Sequence, residues 1–355
     1  MFDTVKYLIG SAGASGFGSK STAEEVTDSV PDLRSVTAII TGATSGIGYE
    51  TARVLAMRGA RLILPARNIK AAEDTRSRIC SEFPGSEVLV FPLELSSLGS
   101  VSAFAARFLD LDLPLHLLIN NAGKFSHQHG VSEDGVEMTF ATNYLGHFLL
   151  TELLLERMVE TAKATGMQAR IVNVSSGIHG WFSGNWTNYL DLITRNKIPY
   201  DPTQAYALSK LANVLYTKEL AQRLKQMQAD VTVNCVHPGI VRTRLTRERE
   251  GLLTDLAFFF LSKFLKTIPQ AAATTCYVAT SPGLAGVSGK YFADCNEASP
   301  SPLASDPREA VAPAELLGVR HGPIRTRDDP LTRFRGDKKE DSRAYSTLTL
   351  PVPGN

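Results

Sequence analysis

Thr41-Gly42-Ala43-Thr44-Ser45-Gly46-Ile47-Gly48 is the stretch of this 355-residue chain that decides its fold. It follows an apolar, β-branched run, Val36 to Ile40, which predicts a buried strand. The residues after it, Tyr49 to Met57, have the periodicity of a helix that Gly59 ends. A strand, a glycine turn and a helix in this order predict a site that holds the phosphates of a dinucleotide.

The glycines of this turn have different physical roles. Gly42 permits the tight turn, Gly46 lets the backbone approach a pyrophosphate, and Gly48 lets the helix pack closely on the strand. The free N–H groups and the positive end of the helix then face the phosphates. The alternative is that these glycines form an ordinary connection between a strand and a helix. The motifs in the rest of the chain distinguish this alternative from a dinucleotide site.

Strands and helices alternate along the following two hundred or so residues, a length typical of one domain. Strands are predicted at residues 61–66, 87–91, 115–119, 170–174 and 231–236, and helices at 69–82, 97–108, 135–162 and 204–227. Residues 175–203 are expected to form a loop that carries several aromatic side chains. This alternation predicts an α/β fold with a doubly wound, parallel sheet and right-handed crossovers.

Polar groups follow the predicted strands at the points where the strands end. Ligands of a doubly wound sheet bind outside the carboxyl ends of its strands. The groups found there are Arg67, Glu94, Asn120-Asn121-Ala122-Gly123, Ser175-Ser176 and His237-Pro238-Gly239. Their common position predicts an active cleft along that edge of the sheet.

Tyr206 and Lys210 are four residues apart at the start of a predicted helix, so both project from one face. A free phenol has a pKa of about 10, and a neighbouring ammonium is expected to lower the pKa of Tyr206. The phenol then exchanges a proton with a carbonyl or alcohol oxygen. Ser176, or its neighbour Ser175, is expected to donate a hydrogen bond to the same oxygen. Asn143 lies within a helix, either as a surface residue or as the anchor of a water beside Lys210.

Taken in order, these motifs resemble the signature of the short-chain dehydrogenase/reductase family over residues 36–295. The segments 143–148, 172–176 and 209–213 resemble its retinol-dehydrogenase-like branch. Residues 15–27 resemble plant members of that branch, which include a dehydrogenase associated with the protein translocon of the chloroplast inner envelope.

The resemblance implies a single Rossmann domain of about seven parallel strands at residues 35–305, with an arm before it (residues 1–34) and a tail after it (306–355). It implies a catalytic set of Asn143, Ser176, Tyr206 and Lys210. It implies coenzyme contacts from Gly42, Ser45, Gly46, Ile47, Gly48, Arg67, Glu94, Leu95, Asn120, Ala122, Gly123, Tyr206, Lys210, Pro238, Gly239, Ile240 and Thr243. Of these, Asn120 and Ala122 would flank the adenosine ribose, and Glu94 stands where the family usually has an aspartate. Lys210 would bind the nicotinamide ribose, and Pro238, Ile240 and Thr243 would hold the nicotinamide end.

The end of the second strand indicates which coenzyme binds. Sites for NAD place an acidic residue there to accept hydrogen bonds from the ribose hydroxyl. This chain has Ala66 and Arg67 instead, and a guanidinium pairs well with a 2′-phosphate. NADP(H) is therefore the expected coenzyme.

Composition excludes several other classes of protein. The net charge of +1 does not favour a nucleic-acid partner, and 43% hydrophobic residues supply a sizeable core. The four cysteines lack the spacing of metal ligands. The pair His127 and His129 could bind a metal, but it lies in a loop-like stretch with no cysteine partner, so no metal is expected. No segment is predicted to span a membrane, since the longest apolar run, residues 252–268, contains charges.

Three segments outside the motifs carry expectations of their own. Residues 10–21 are rich in Gly and Ser, as in a flexible arm or the end of a plastid targeting sequence, and Ser21 with Glu24 predicts a capping box. The lid region, about 250–268, contains an apolar helix at residues 252–265 that either packs in a core or dimer or covers a lipophilic substrate. Residues 311–355 have no periodicity and are expected to be disordered.

The sequence as a whole predicts an NADP(H)-dependent oxidoreductase that interconverts a lipophilic aldehyde or ketone and its alcohol. The alternative is a coenzyme-binding, redox-sensing regulatory partner at the chloroplast inner envelope. A homodimer and a peripheral contact with a membrane are further expectations, in the chloroplast or the cytoplasm.

Overall fold

An eight-stranded sheet runs through the centre of this computed structural model, which describes residues 7–30, 32–241 and 265–306, together with Glu309. The strands are β1 (Thr37–Ile40), β2 (Arg61–Ala66), β3 (Val88–Pro92), β4 (Leu117–Asn120), β5 (Ala169–Val174), β6 (Val231–His237), β7 (Ile240–Val241), β8 (Leu265–Lys266), β9 (Tyr291–Ala293) and β10 (Asn296–Ala298). Strands β7 and β8 form a separate parallel ribbon.

The order of strands across the sheet is β10-β9-β6-β5-β4-β1-β2-β3. The pair β9 and β10 is antiparallel, and the other neighbours are parallel. From β1 the chain continues to β2 and β3 on one side of β1 in the sheet. It then crosses to β4, which lies on the other side of β1. The carboxyl ends of β1 and β4 therefore flank the switch point at which such sheets bind ligands.

Helices cover both faces of the sheet. They are α1 (Ala23–Val26), α2 (Gly46–Met57), α3 (Ile69–Glu82), α4 (Leu98–Leu109), α5 (Met138–Phe140), α6 (Gly146–Thr165), α7 (Trp186–Thr194), α8 (Pro202–Gln226), α9 (Ile268–Thr280) and α10 (Pro302–Ser305). A π-helical segment, Ala141–Leu145, joins α5 to α6, and short 3₁₀ turns lie at Gly177–Trp181 and Pro282–Leu284.

The central strands β1, β4, β5 and β6 are largely buried on both faces, so the core consists of two layers. In β1, Ile39 packs with α4, α6 and α8, while Ala38 and Ile40 pack with α2 and α9 on the opposite face. Successive residues of a strand point to opposite faces, and both faces here are apolar. The predicted doubly wound Rossmann fold is confirmed. The sheet contains the seven parallel strands that were expected. It also contains an eighth strand, β10, which lies antiparallel to β9 at the edge.

Two predictions of local structure need correction. The helix predicted at residues 135–162 is interrupted by the π-helical segment that contains Asn143. The loop predicted at residues 175–203 contains α7, which buries Trp186, Leu190 and Ile193 on one face. Their spacing is that of an amphipathic helix, but the many aromatic residues suggested a covering loop instead.

The described part of the N-terminal arm, residues 7–30, packs on the domain, whereas residues 10–21 were expected to be flexible or part of a targeting sequence. Ala23 and Val26 are buried against α9, and Phe17 packs on Tyr277. The capping box of α1 consists of Thr22 and Glu25, one residue later than predicted. Residue Glu24 is instead an ion-pair partner of the α2 side chain Arg53.

Several predictions concern residues outside the described ranges. These are Thr243, nearly all of the apolar segment 252–265, and the tail 311–355. Of the predicted lid region only residues 265–268 are described, and Leu265 and Lys266 form β8. Within the described parts of the chain, no helix has both the length and the apolar character needed to cross a membrane.

Candidate active site

The glycine turn after β1 has the geometry that a phosphate site requires. Gly42 and Gly46 have φ angles of +68° and +57°, which side chains rarely adopt. A Cβ at Gly48 would lie 2.4 Å from the carbonyl oxygen of Gly42. Ser45, at the N-cap of α2, makes no capping hydrogen bond through its side chain, so no cap occupies the first N–H groups of the helix. This helix start fits the pyrophosphate of a dinucleotide.

The Thr41 hydroxyl joins the glycine turn to the loop after β4. Its Oγ1 accepts hydrogen bonds from the N–H groups of Asn121 and Ala122, each at 3.0 Å. The same oxygen lies 2.8 Å from His147 Nε2 and, more distantly, 3.4 Å from the Ile119 carbonyl oxygen. His147 Nδ1 lies 3.1 Å from the carbonyl oxygen of Asn143. That oxygen can only accept, so Nδ1 carries the hydrogen and Nε2 accepts from Thr41. Burial lowers the pKa of His147 to about 4, which keeps the ring neutral.

His147 was not among the predicted site residues. It lies four residues after Asn143, and this helical spacing was the only sequence signal that placed the two together. In the structure His147 connects the glycine turn to the π-helical segment.

Asn143 fixes the loop that follows Gly123. Its Oδ1 accepts the Lys124 N–H at 2.7 Å, and its Nδ2 donates to the Lys124 carbonyl at 2.9 Å. A Cβ at Gly123 would lie 3.6 Å from Lys210 Nζ and 3.8 Å from Asn143 Oδ1. The backbone at position 123 therefore lies in van der Waals range of both side chains, although these distances would also admit a Cβ. Asn143 is fully buried, which rules out the surface alternative.

Tyr206 and Lys210 lie one turn apart on α8, as predicted. Lys210 Nζ donates to the Val174 carbonyl at 2.9 Å and lies 5.6 Å from the centre of the Tyr206 ring. Burial raises the pKa of Tyr206 above its ordinary value and lowers the pKa of Lys210 to about 8. The predicted lowering of the phenol pKa is therefore wrong for the chain by itself, because desolvation outweighs the ammonium. At neutral pH Tyr206 is a proton donor.

The two adjacent serines have different environments. Ser175 is buried, and its hydroxyl donates to the Lys210 carbonyl at 2.7 Å. Ser176 is half-buried, and its Oγ accepts a long hydrogen bond of 3.4 Å from Ile178 N–H. Among the described residues the Ser176 hydroxyl hydrogen has no acceptor. The geometry thus leaves Ser176, and not Ser175, free to donate to a substrate.

The loop after β6 closes the other end of the cleft. His237 Nδ1 accepts the Gly177 N–H at 3.1 Å, which ties this loop to the residue after Ser176. Burial lowers the pKa of His237 to about 4. Gly239 has a φ of +91°, and Ile240 is 54% exposed. Pro238, Gly239 and Ile240 lie directly after the carboxyl end of β6, and their contact with a coenzyme stays a prediction.

Of the remaining predicted coenzyme residues, some have side chains at the edge of the cleft and others are packed into the protein. Arg67 is exposed, and its Nη1 lies 3.4 Å from Glu94 Oε2, so both side chains reach the edge of the cleft beyond β2 and β3. Asn120 points into the core, where its Nδ2 donates to Thr151 and Asn173. A coenzyme contact from Asn120 must therefore come from its main chain. The Leu95 carbonyl packs closely on Gly146, where a Cβ would lie 2.1 Å from its oxygen.

In the described residues, no group of three or more His, Cys, Asp and Glu side chains is placed to hold a metal ion. His129, one of the histidines considered above, contacts the Ile193 carbonyl through Nε2 at 2.7 Å.

The site as a whole places a phenol, a free hydroxyl and an ammonium beside an uncapped helix start. Such a set can transfer a proton to or from a substrate oxygen and hold a dinucleotide next to it.

Known proteins resemble this chain over most of its length. The family model for short chain dehydrogenases matches residues 36–190 and 194–251. The chain is 48% identical over 304 residues to the short-chain dehydrogenase TIC 32 B, chloroplastic, of Brassica napus, covering 84% of this chain and 92% of that protein. It is 43% identical over 290 residues to retinol dehydrogenase 12 of Bos taurus, covering 79% and 86%.

Solved structures show the same fold. A protein from Mycobacterium paratuberculosis has a TM-score of 0.64 and 30% identity, covering 83% of this chain and 95% of its own. A variant of actinorhodin polyketide ketoreductase with NADPH has a TM-score of 0.57 and 25% identity, covering 74% and 97%. The glycine turn, the ordered motifs at the strand ends and these matches lead to one conclusion: the chain belongs to the short-chain dehydrogenase family of oxidoreductases.

Proposed function

We propose that this protein is an NADP(H)-dependent oxidoreductase that interconverts a lipophilic aldehyde or ketone and the corresponding alcohol. The observation that carries the proposal is the convergence of Ser176, Tyr206 and Lys210 on the cleft that begins at the Gly42–Gly48 turn. The regulatory alternative needs only coenzyme binding, whereas a free serine hydroxyl and a protonated phenol serve chemistry.

The nicotinamide coenzyme would supply or accept the hydride, and its oxidised form would add a positive charge near the phenol. In the chain itself, Gly42 and the start of α2 hold the phosphates, and Lys210 binds the nicotinamide ribose. Ser176 donates a hydrogen bond to the substrate oxygen, and Tyr206 donates the proton that makes it a hydroxyl. A phenol that is protonated at neutral pH suits carbonyl reduction, in which it is the acid.

Loss of NADPH absorbance with a panel of carbonyl compounds tests the proposal. The panel should include long apolar aldehydes, retinaldehyde among them because of the named relatives, and small soluble ketones. We expect turnover to favour the apolar substrates. Binding of NADPH without turnover of any member would support the regulatory alternative.

Ser176→Ala is expected to reduce turnover by roughly 10- to 100-fold, the cost of one charge-assisted hydrogen bond of about 1.5–3 kcal/mol. The matched variant is Ser175→Ala, which removes a buried hydrogen bond to the Lys210 carbonyl and should lower the melting temperature instead. Steady-state kinetics and thermal unfolding of both proteins separate the two roles. The reverse pattern would assign the substrate contact to Ser175.

Coenzyme choice should depend on Arg67. We expect NADPH to bind more tightly than NADH. Arg67→Ala should reduce the ratio of the two affinities by roughly tenfold, because a charge-assisted contact with the 2′-phosphate is lost. Titration of each protein with both coenzymes measures this. Arg76→Ala, which removes another exposed arginine of the same region, is the control. Equal affinities of the parent protein for NADPH and NADH would refute the assignment.

The chloroplast is the proposed location, since the name of the 48%-identical Brassica relative places that protein there. A homodimer and a peripheral contact with a membrane remain predictions.

A further inference from the structure

A strained turn joins β9 to β10 close to the cleft. Its two residues, Asp294 and Cys295, have φ angles of +50° and +63°. Two-residue hairpin turns of this kind strongly favour glycine in the second position, and a side chain there carries strain. Such a conformation persists only where the surrounding structure enforces it.

Hydrogen bonds on two sides of the turn hold Asp294 and Cys295 in this conformation. On the core side, Cys295 is fully buried and its N–H donates to Thr274 Oγ1 at 3.2 Å. On the outer side, Asn296 Nδ2 donates to the Asp294 carbonyl at 2.7 Å and to the Phe17 carbonyl at 2.9 Å. Asn296 Oδ1 accepts the Ser15 N–H at 3.0 Å. The N-terminal arm thus braces the turn.

The braced turn presents the Asp294 carboxylate to Lys266. Their Oδ1 and Nζ atoms are 2.5 Å apart, and the side chain of Lys266 is only 3% exposed. A buried ammonium is costly unless a carboxylate neutralises it. Asp294 is therefore the counter-ion that allows Lys266 to stay in this position.

Lys266 in turn contacts the loop after β6. A Cβ at Gly239 would lie 2.7 Å from Lys266 Cδ, so the lysine stem covers the backbone of Gly239. Lys266 also pairs with Val241 in the β7–β8 ribbon. The backbone of residues 239–241 thus contacts both the Lys266 side chain and the β8 strand that carries it.

We propose that Asp294 and Lys266 are positioning residues that hold the Pro238-Gly239-Ile240 loop against the nicotinamide half of the coenzyme. The inference rests on the proposed coenzyme function. Neither side chain needs to touch the coenzyme. The ion pair sets where the Lys266 stem lies, and the stem sets where the loop lies. The phosphate and adenosine contacts, at β1, β2 and β3, are on the far side of the cleft.

The distance between the two halves of the coenzyme site makes a discriminating experiment possible. Calorimetric titration with NADPH measures both halves, whereas titration with 2′,5′-ADP measures only the adenosine half. Asp294→Asn keeps a residue that tolerates positive φ and removes the charge. Lys266→Met keeps an apolar stem and removes the ammonium. We expect each variant to bind NADPH at least about tenfold more weakly, since small misplacements of contact groups are costly, and to bind 2′,5′-ADP as the parent does.

The same hairpin offers a matched control. Lys290 and Glu297 form an ion pair of 2.7 Å in which the side chains are 47% and 55% exposed. Glu297→Gln should change neither affinity. The double variant of Asp294 and Lys266 should bind NADPH no more weakly than Lys266→Met alone, because Asp294 acts through the lysine.

The results of these titrations distinguish a failure of the positioning role from a failure of the proposed coenzyme function. Equal loss of NADPH and 2′,5′-ADP binding, with a lower melting temperature, would mean that the pair only stabilises the fold, and would overturn the inference. Unchanged NADPH binding would overturn it as well. If the parent protein binds neither ligand, the proposed coenzyme function itself fails. If the neutral variants do not fold, Lys266→Arg and Asp294→Glu keep the charges but shift the stem, and unchanged NADPH affinity in both would contradict the proposal.

Discussion

Tyr206→Phe is expected to reduce turnover by about 10²–10⁴-fold, the usual contribution of a general acid or base. The change removes only the phenolic hydroxyl, and the phenyl ring keeps its packing against Phe125, whose ring centre is 5.4 Å away. NADPH affinity should therefore stay close to that of the parent protein. Steady-state kinetics and coenzyme titration of the purified variant measure the two quantities separately.

A second tyrosine provides the control for this variant. The Tyr200 hydroxyl donates to Glu137 Oε1 at 2.9 Å, and burial raises the pKa of this phenol above its ordinary range as well. Tyr200→Phe should lower the melting temperature with little loss of turnover, since Glu137 caps α5 through the Thr139 and Phe140 N–H groups. Near-normal turnover of Tyr206→Phe would remove Tyr206 from the mechanism.

Lys210→Met should reduce catalytic efficiency by about 10²-fold or more, because it removes both a proposed coenzyme contact and a cation that lies 5.6 Å from the centre of the Tyr206 ring. Met has a similar length and leaves the packing of α8 largely intact. Lys225→Met, on an exposed position of the same helix, is the matched control and should be neutral. Retained efficiency in Lys210→Met would contradict the assigned role.

The parent protein, compared with the same variant, should also show a characteristic dependence of stability on pH. Burial lowers the pKa of Lys210 from 10.5 to about 8 in the folded chain. Below pH 8 the folded protein holds a desolvated ammonium, whereas between pH 8 and 10.5 the unfolded chain binds the proton more tightly than the folded chain does. The free energy of unfolding of the parent protein should therefore rise with pH across this window, relative to Lys210→Met, by an amount on the order of 3 kcal/mol.

Denaturant titrations of both proteins at pH 7 and near pH 10 measure that relative change. A difference between the proteins that stays constant with pH would show that Lys210 is not desolvated in the folded chain. The expected result means that the ammonium is kept at a cost to stability, a trade-off common at functional sites.

The sequence alone determined the class of fold and the place of the site. The strand ends and helix starts come from local periodicity and from glycine. The boundaries of β2 are those predicted, and the other boundaries of β1 to β6 differ from the predicted ones by at most two residues. The polar groups at those ends had to meet because parallel strands bring their carboxyl ends to one edge. Tyr206 and Lys210 share a face because both lie on one helix.

Other features depended on groups that are distant in the sequence. Nothing local distinguishes Ser175 from Ser176, and only the Lys210 carbonyl, thirty-five residues away, occupies one hydroxyl and leaves the other free. The phenol pKa was predicted in the wrong direction because desolvation is a property of the assembled core. Likewise the π-helical segment at Asn143, the neutral His147 and the Asp294–Lys266 pair arise where separate elements meet. Local patterns record the shape of each element, but burial and partner choice are decided only when the elements pack together, so the tertiary structure alone could assign them.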